Sequence, residues 1–217
     1  MLILASASPR RREILRSIGI DFRVIIPNWS EPPFVSGQSP ARYAIANARS
    51  KALSVADRVN AGFVIGVDTI VVLDGKVLGK PEDRAEARAM LRKLSGRSHA
   101  VISGVAVAGP KPPMDADGRS PAGDRNSGIR VHRRSSAVSY RVLTGSEKSL
   151  VTFRPLTDME IRRYVASKEP YDKAGGYGIQ GRAGDFVTKV SGCYLNVVGL
   201  PVALLLRLLA RAGWHER

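Results

Sequence analysis

A single carboxylate lies inside an otherwise apolar stretch of the chain. Asp68 stands between Val67 and Thr69 in Phe63–Leu73, a run rich in β-branched residues. Removing an ion from water is costly unless a cation or hydrogen bonds compensate, and carboxylates in such surroundings cluster at functional sites. Pairing with Lys80, at the end of the following hairpin, or with another cation is the purely structural alternative. We favour chemistry at Asp68 over a simple internal ion pair.

The start of the first helix is a candidate anion pocket. Ser6-Ala7-Ser8-Pro9-Arg10-Arg11 places small residues, a capping hydroxyl and two guanidinium groups just beyond a short apolar strand. Helix N-termini attract anions, and arginine can bond two phosphate oxygens at once without losing its charge. An ordinary helix start with arginines facing water has the same spacing. The residues alone leave both interpretations open.

A glycine-rich segment, Asp172–Gly181, is suited to close approach of the backbone to a flat ligand. Gln180 supplies a paired donor and acceptor that match the edge of a nucleobase. Its lysine precedes the glycines, so the segment is neither a Walker loop nor a dinucleotide fingerprint, and a plain turn is the alternative. Glu31 and Lys51, taken singly, are typical of solvated charges. His99 has no evident base or metal partner, and we interpret it as structural.

The elements that must position these residues alternate between strands and helices. Ser8-Pro9 and Ser39-Pro40 are helix starts, Asp74-Gly75 is a hairpin turn, and Thr157 opens a capping box. The predicted strands are Leu2–Leu4, Phe63–Leu73, Lys76–Leu78, Val101–Ala108, Ser139–Leu143 and Ser149–Phe153; the predicted helices begin near Ser8, Ser39, Glu82, Thr157 and Leu200. This interleaving predicts an α/β or α+β domain around one twisted sheet.

Residues 109–136 differ from the rest of the chain. They contain four Gly, four Pro, six Lys or Arg and three Asp, with almost no large apolar side chain. Such a composition cannot bury enough surface to order itself, so we interpret the segment as a flexible basic insertion in a single domain spanning 1–217. It carries only +3 of the net charge of +15, and most of the basicity therefore belongs to the folded body.

Composition restricts the class of protein. The 217 residues, 44% hydrophobic and 24% charged, suit one globular domain or two small lobes sharing a cleft, and exclude a disordered or fibrous chain. Cys193 is the single cysteine, which favours a reducing compartment and hence the cytoplasm. The longest apolar runs are too short to span a bilayer, so no membrane association is expected. The charge of +15 favours polyanionic partners: nucleic acid, anionic lipid or phosphorylated small molecules.

Taken together and in this order, these segments resemble the Maf family of nucleoside triphosphate pyrophosphatases. The resemblance covers nearly the whole chain, and several motifs in order are far more specific than any one of them. The segments that carry it are Ala5–Arg11, Gly66–Val71, Leu78–Pro81, Leu94–His99, Asp172–Gly181 and Ser191–Pro201.

The resemblance implies a two-lobed α/β fold with an elongated, twisted mixed sheet and a central cleft, similar to the inosine triphosphate pyrophosphatases. It also implies hydrolysis of a nucleoside triphosphate to the monophosphate and pyrophosphate with a divalent metal, Mg²⁺ in the first place and Mn²⁺ as the alternative. A small-molecule nucleotide is then the partner, nucleic acid and membrane are not, and a homodimer stays open.

The resemblance assigns roles to nine positions. Asp68 matches the proton acceptor, Glu31 a second acidic residue that with Asp68 holds the metal, and Lys80 a catalytic lysine that also contacts phosphate. The phosphate-binding positions and their loop are matched by Arg10, Arg11, Lys51, Lys80 and Ser6. The pattern Arg11, Thr69 and Gln180 looks like the subgroup acting on dTTP and UTP rather than on 7-methyl-GTP.

The residue chemistry agrees with these expectations. Water attacking the α-phosphorus needs a base and a cation, and Asp68 with Glu31 offers hard oxygen ligands for Mg²⁺. A Gln180 amide and a Thr69 hydroxyl can match the O and N–H edge of a pyrimidine. Two rivals remain: the same chemistry on a modified nucleotide, and a basic nucleic-acid-binding division regulator. The second ranks lower, because a buried aspartate serves no purpose on a DNA-binding face.

Overall fold

The computed structural model describes residues 1–59, 62–110 and 140–215, which form a seven-stranded sheet covered by helices. The strands are β1 (Leu2–Ala5), β2 (Arg23–Val24), β3 (Phe63–Leu73), β4 (Lys76–Leu78), β5 (Ser98–Pro110), β6 (Tyr140–Phe153) and β7 (Val187–Ser191). The α-helices are α1 (Pro9–Ser17), α2 (Pro40–Ala56), α3 (Arg84–Leu94), α4 (Asp158–Val165), α5 (Tyr194–Val198) and α6 (Val202–Arg211). Short 3₁₀ turns lie at Glu169–Asp172, Ala174–Gly176 and Arg182–Phe186. The expected α/β class with a mixed sheet is confirmed.

The strand order is β2-β1-β3-β5-β6-β7, with β4 attached to the end of β3. β1 runs parallel to both β2 and β3, whereas β3, β5, β6 and β7 are successively antiparallel. None of the helices in the described ranges is long and apolar enough to cross a membrane.

Among the described residues, one side of β3 is partly without a partner strand. β1 pairs with its first residues, Phe63 to Gly66, and β4 pairs with its last, Val71 to Leu73. The other side is paired with β5 over nearly its whole length. Asp68 and Thr69 therefore lie at a gap between β1 and β4, where the sheet edge is open. This gap forms the floor of a cleft.

Helix α2 lies unusually close to one face of the sheet. A Cβ added at Gly66 would stand 2.0 Å from the Ala48 carbonyl oxygen, and one added at Gly104 would stand 2.3 Å from the Ala44 backbone. Because no side chain separates the helix from the sheet at these two points, α2 packs directly on β3 and β5. Side chains of α2 can therefore reach Asp68, which points to the same face.

The other face of the sheet carries two separate hydrophobic clusters. Val67 belongs to a cluster with α1 and α6, whereas Val71 belongs to one with α3 and α4. Thr69 lies between them, since alternate residues of a strand share a face, and its Oγ1 is 2.9 Å from Ser103 Oγ. The break between the two clusters corresponds to the expected two lobes, with the cleft between them.

Several predicted boundaries need correction. The strands predicted at 139–143 and 149–153 are one continuous strand, β6, and the helix predicted from Glu82 begins at Arg84 with Asp83 as its N-cap. The predicted insertion, 109–136, begins too early, because Gly109 and Pro110 pair with Arg141 and Tyr140 as the end of β5. The rest of that segment lies outside the described residues, and its flexibility stays a prediction.

Candidate active site

The cleft at the open edge of β3 has a volume of about 1040 Å³. The loop after β1, the stretch of β3 between its pairings with β1 and β4, the residues after β4 and the glycine-rich segment line it. It brings together all nine residues singled out from the sequence: Ser6, Arg10, Arg11, Glu31, Lys51, Asp68, Thr69, Lys80 and Gln180. The roles assigned to them remain proposals, but their convergence on one cavity does not follow from sequence proximity.

Asp68 is held between two side chains of α2. The Lys51 ammonium donates to Asp68 Oδ1 at 2.6 Å and to Glu31 Oε1 at 2.5 Å, while Asn47 Nδ2 donates to Asp68 Oδ2 at 3.3 Å. The Asp68 side chain is 5% exposed and that of Lys51 11%. The cation beside Asp68 is therefore Lys51 and not Lys80, because the close approach of α2 brings Lys51 to β3.

Arg11 is engaged mainly with the protein itself. Its guanidinium donates to the Gly199 carbonyl at 2.9 Å, to Val67 O at 3.0 Å, and to the hydroxyls of Ser6 and Thr69 at 3.1 Å each. These bonds use four of the five N–H donors of an arginine. Burial lowers the pKa of Arg11, an effect that neighbouring Asp68 opposes. Arg11 thus forms part of the wall of the cleft, and it donates to the Val67 carbonyl in the stretch of β3 that neither β1 nor β4 pairs with.

The start of α1 offers unpaired donors to the cleft. Ser8 is the N-cap, as predicted, but its side chain makes no capping bond. Ser6 Oγ instead accepts from the Ser8 N–H at 3.2 Å and from Arg11, so its own hydroxyl proton is available to a ligand. Because the first N–H groups of a helix lack partners within it, this arrangement favours the anion pocket over a solvated helix start.

Three further cations border the cleft. Arg10 reaches the exposed Asp172 at 3.4 Å, a long contact that a ligand can replace. Lys173 donates to Asp172 and to the Glu169 carbonyl. Lys80 makes no hydrogen bond or ion pair to any residue that the structure describes. These groups can follow a polyphosphate along the cleft wall.

A Maf-like protein model matches residues 1–212 of the chain. The chain belongs to the Maf-like protein family. Relatives over nearly the full length, each named dTTP/UTP pyrophosphatase, include those of Pelotomaculum thermopropionicum (42% identity, 99% of this chain and 97% of the relative) and Symbiobacterium thermophilum (44%, 98% and 94%). The relative from Carboxydothermus hydrogenoformans is 43% identical over 98% of this chain and 99% of its own length.

Among solved structures, the Maf-like chain has a weak likeness to a nucleoside-triphosphatase, described as a dITP/XTP pyrophosphatase, from Mycobacterium abscessus. The TM-score is 0.35 at 16% identity, over 98% of this chain and 96% of that one. Family membership rests on the sequence matches alone.

Asn47 and Glu169 are polar residues of the site that no sequence pattern singled out. Asn47 is four residues before Lys51 on α2, so the two share a helix face, but only the packing of α2 on the sheet brings that face to Asp68. Glu169 lines the cleft three residues before the glycine-rich segment, and Asp172, the first residue of that segment, lines it too. Their positions depend on 3₁₀ turns with no clear sequence pattern.

His99 has the structural role expected from the sequence. It is 2% exposed, its Nε2 is 2.7 Å from the Tyr177 hydroxyl, and its ring packs edge-on against Phe153. Burial lowers the pKa of His99 to about 4. The native protein therefore holds this ring neutral.

We expect His99 to make the stability of this protein pH-dependent below pH 6.5. An unfolded histidine titrates near 6.5, so between that pH and about 4 the unfolded chain binds a proton that the native protein does not. Stability is then full above pH 6.5 and falls, by on the order of 3 kcal/mol, as pH decreases through this window. Urea unfolding across the window should show this slope flattened in His99→Gln. Exposed His215→Gln is the control, and an equal slope in both variants contradicts the assignment.

Proposed function

We propose that this chain hydrolyses nucleoside triphosphates, dTTP and UTP in the first place, to the monophosphate and pyrophosphate. The observation that carries the proposal is the Asp68–Lys51–Glu31 cluster at the open edge of β3, inside a cleft bordered by cations. Relatives named dTTP/UTP pyrophosphatase support the choice of substrate.

Asp68 is the proposed base. Lys51 and Asn47 each hold one of its oxygens, which fixes the orientation of the carboxylate. It accepts a proton from the water that attacks the α-phosphorus, the bond from that phosphorus to the bridging oxygen breaks, and pyrophosphate leaves. Positioning and electrostatics supply most of the catalysis in such phosphoryl chemistry.

The triphosphate is proposed to lie along the cations of the cleft. Lys80 is unpaired among the described residues, and Arg10 can exchange Asp172 for a phosphate oxygen, since an exposed ion pair contributes little. The α1 N-terminus and the Ser6 hydroxyl add neutral donors. Charge-assisted bonds of this kind are the strong ones.

The nucleobase of the substrate is proposed to lie between Gln180 and the wall of the cleft formed by Arg11 and Thr69. Gln180 is exposed at the rim of the cleft and can present its amide to the O and N–H edge of a pyrimidine. Thr69 Oγ1 is occupied by Arg11 and lies 3.3 Å from the Gly199 carbonyl. Arg11 and Thr69 therefore act through the shape of the wall, and Gln180 makes the direct contact.

The acidic residues fit a divalent metal. Asp68 and Glu31 converge on the ammonium nitrogen of Lys51, so both carboxylates would reach one Mg²⁺ where that ammonium moves aside. Mg²⁺ is commonly held by one or two carboxylates plus substrate phosphates. No group of three or more His, Cys, Asp or Glu that could hold a metal occurs among the described residues. A bound Mg²⁺, with Mn²⁺ as the alternative, neutralises charge on the phosphates.

We place the enzyme in the cytoplasm, a setting supported by its single cysteine.

Pyrophosphate release tests the proposed function. The purified chain with Mg²⁺ is offered dTTP, UTP, CTP, ATP, GTP and pyrimidine triphosphates with modified bases. We expect pyrophosphate and monophosphate in equal amounts, with the highest kcat/KM for dTTP and UTP. A preference for a modified base would change the substrate but keep the chemistry. Absence of pyrophosphate, together with DNA binding that weakens steeply with salt, would overturn the proposal.

We expect Arg10→Ala and Lys80→Ala to raise KM for the triphosphate while changing kcat little. Each removes a charged hydrogen bond worth about 1.5–3 kcal/mol, which corresponds to a KM increase of roughly ten- to a hundredfold. Steady-state kinetics with UTP provide the measurement. Lys76→Ala is the matched control, since Lys76 is exposed on the same hairpin as Lys80 but does not line the cleft. Unchanged KM in both variants places the phosphates elsewhere.

A further inference from the structure

The turn that carries Gln180 is fixed by two residues outside it. We propose that Glu169 and Tyr164 are positioning residues for base selection, because their side chains bind both ends of the turn Gly178–Arg182. This inference rests on the proposed function, in which Gln180 contacts the base.

A chain of hydrogen bonds connects the two ends of the turn. The Gly178 N–H donates to the Tyr164 hydroxyl at 3.2 Å, and this hydroxyl donates to Glu169 Oε1 at 3.0 Å. Glu169 Oε2 accepts from the Arg182 N–H at 3.2 Å. One carboxylate thus holds the end of the turn directly and its start through one tyrosine. Gln180 lies between these two anchors.

The carboxylate also lies against the backbone of the turn. A Cβ added at Gly181 would stand 2.2 Å from Glu169 Oε1, so the glycine is what allows this contact. The turn itself is closed by the Gly181 N–H bonding the Gly178 carbonyl at 3.0 Å. Ile179 packs on the α1/α6 cluster and Ala183 on the α3/α4 cluster. The turn and the residue directly after it therefore span the break between the two clusters.

The two positioning residues are chemically suited to this role. Tyr164 is buried, and burial raises its pKa, so it stays a neutral donor and acceptor at any pH at which the enzyme works. Glu169 must accept at both oxygens. An amide in its place can accept at only one, so that either the Tyr164 hydroxyl proton or the Arg182 N–H loses its acceptor.

The test compares selectivity rather than activity. For Glu169→Gln and Tyr164→Phe, kcat and KM are measured with UTP and with ATP. We expect KM for UTP to rise about tenfold, which corresponds to the loss of one neutral hydrogen bond. We expect kcat to change less than twofold. The ratio of kcat/KM for UTP over that for ATP then falls correspondingly. Tyr164→Phe removes a single oxygen, so the packing of the ring is kept.

Two matched controls separate positioning from general loss of stability. Tyr171→Phe removes a tyrosine hydroxyl that donates to the Val165 carbonyl at 2.9 Å, without contact to the turn. Glu160→Gln disturbs a glutamate of comparable hydrogen bonding in the capping box of α4. Both controls are expected to keep the wild-type selectivity ratio.

The Gln180→Ala variant distinguishes failure of this inference from failure of the function. We expect Gln180→Ala to lower selectivity, and Glu169→Gln to lower it no further in that background. If Gln180→Ala lowers selectivity but Glu169→Gln and Tyr164→Phe do not, the positioning role is wrong and the function stands. If Gln180→Ala leaves selectivity unchanged, Gln180 does not read the base and the positioning role is overturned with it. If wild type releases no pyrophosphate, the function itself is wrong.

Discussion

Asp68→Asn is expected to lower kcat for UTP by about a thousandfold or more, within the range attributed to positioned general bases. Asparagine has the same shape and can still accept from Lys51, but it cannot take a proton from the attacking water. Lys51 keeps an acceptor and its bond to Glu31. Asn47 needs only to turn its amide so that its oxygen accepts from the new side-chain nitrogen, so the fold is preserved and KM should change only a few fold. Pyrophosphate release gives kcat and KM, and circular dichroism checks the fold.

Asp74→Asn is the matched control for this substitution. Asp74 lies in the hairpin turn at the end of the same strand, exposed and paired with Arg97. Its φ of 51° is in the left-handed region, which asparagine tolerates well. This variant should keep wild-type kcat. If the Asp68→Asn enzyme is as active as the Asp74→Asn enzyme, Asp68 is not the general base, whether or not the cleft binds the substrate.

Elements with local signals could be predicted from the sequence, and those that depend on distant packing could not. The Thr157 capping box and the Asp74-Gly75 hairpin are determined by neighbouring residues, and both are present in the structure. The strand β6 is predicted from the sequence as two strands separated by residues 144–148, which include Gly145. In the structure Gly145 stays in the strand, since a Cβ there would meet Leu204 of α6 at 2.9 Å. No local pattern shows that contact.

The candidate site divides in the same way. Asp68 could be recognised because an ion in an apolar strand is costly. Its partner could not, since Lys51 reaches it only because Gly66 and Gly104 let α2 lie directly on the sheet. The role of Arg11 was equally hidden: its acceptor Gly199 is 188 residues away along the chain. Sequence therefore identifies the charge that needs a partner, and tertiary packing selects which partner it has.

Lys51→Met is expected to have the largest effect on stability. The Asp68 carboxylate is almost fully buried and Glu31 lies on the other side of the same ammonium. Removing one member of a buried ion pair leaves an uncompensated charge, at a cost of about 3–5 kcal/mol. Urea unfolding without divalent cations gives the loss. Added Mg²⁺ should raise the melting temperature of Lys51→Met more than that of wild type, because a cation can then occupy the place of the ammonium between the two carboxylates.

Lys173→Met is the comparison variant, because it removes a lysine of similar burial whose carboxylate partner is exposed. Lys173 is itself largely buried, but its partner Asp172 is 61% exposed, so its removal should cost less than about 1 kcal/mol. The double variant Asp68→Asn/Lys51→Met should recover most of the stability lost in Lys51→Met, since no buried charge is then left unpaired. If Lys51→Met is no less stable than Lys173→Met, Asp68 is solvated in solution. The ion pair then does not hold the carboxylate in place for catalysis.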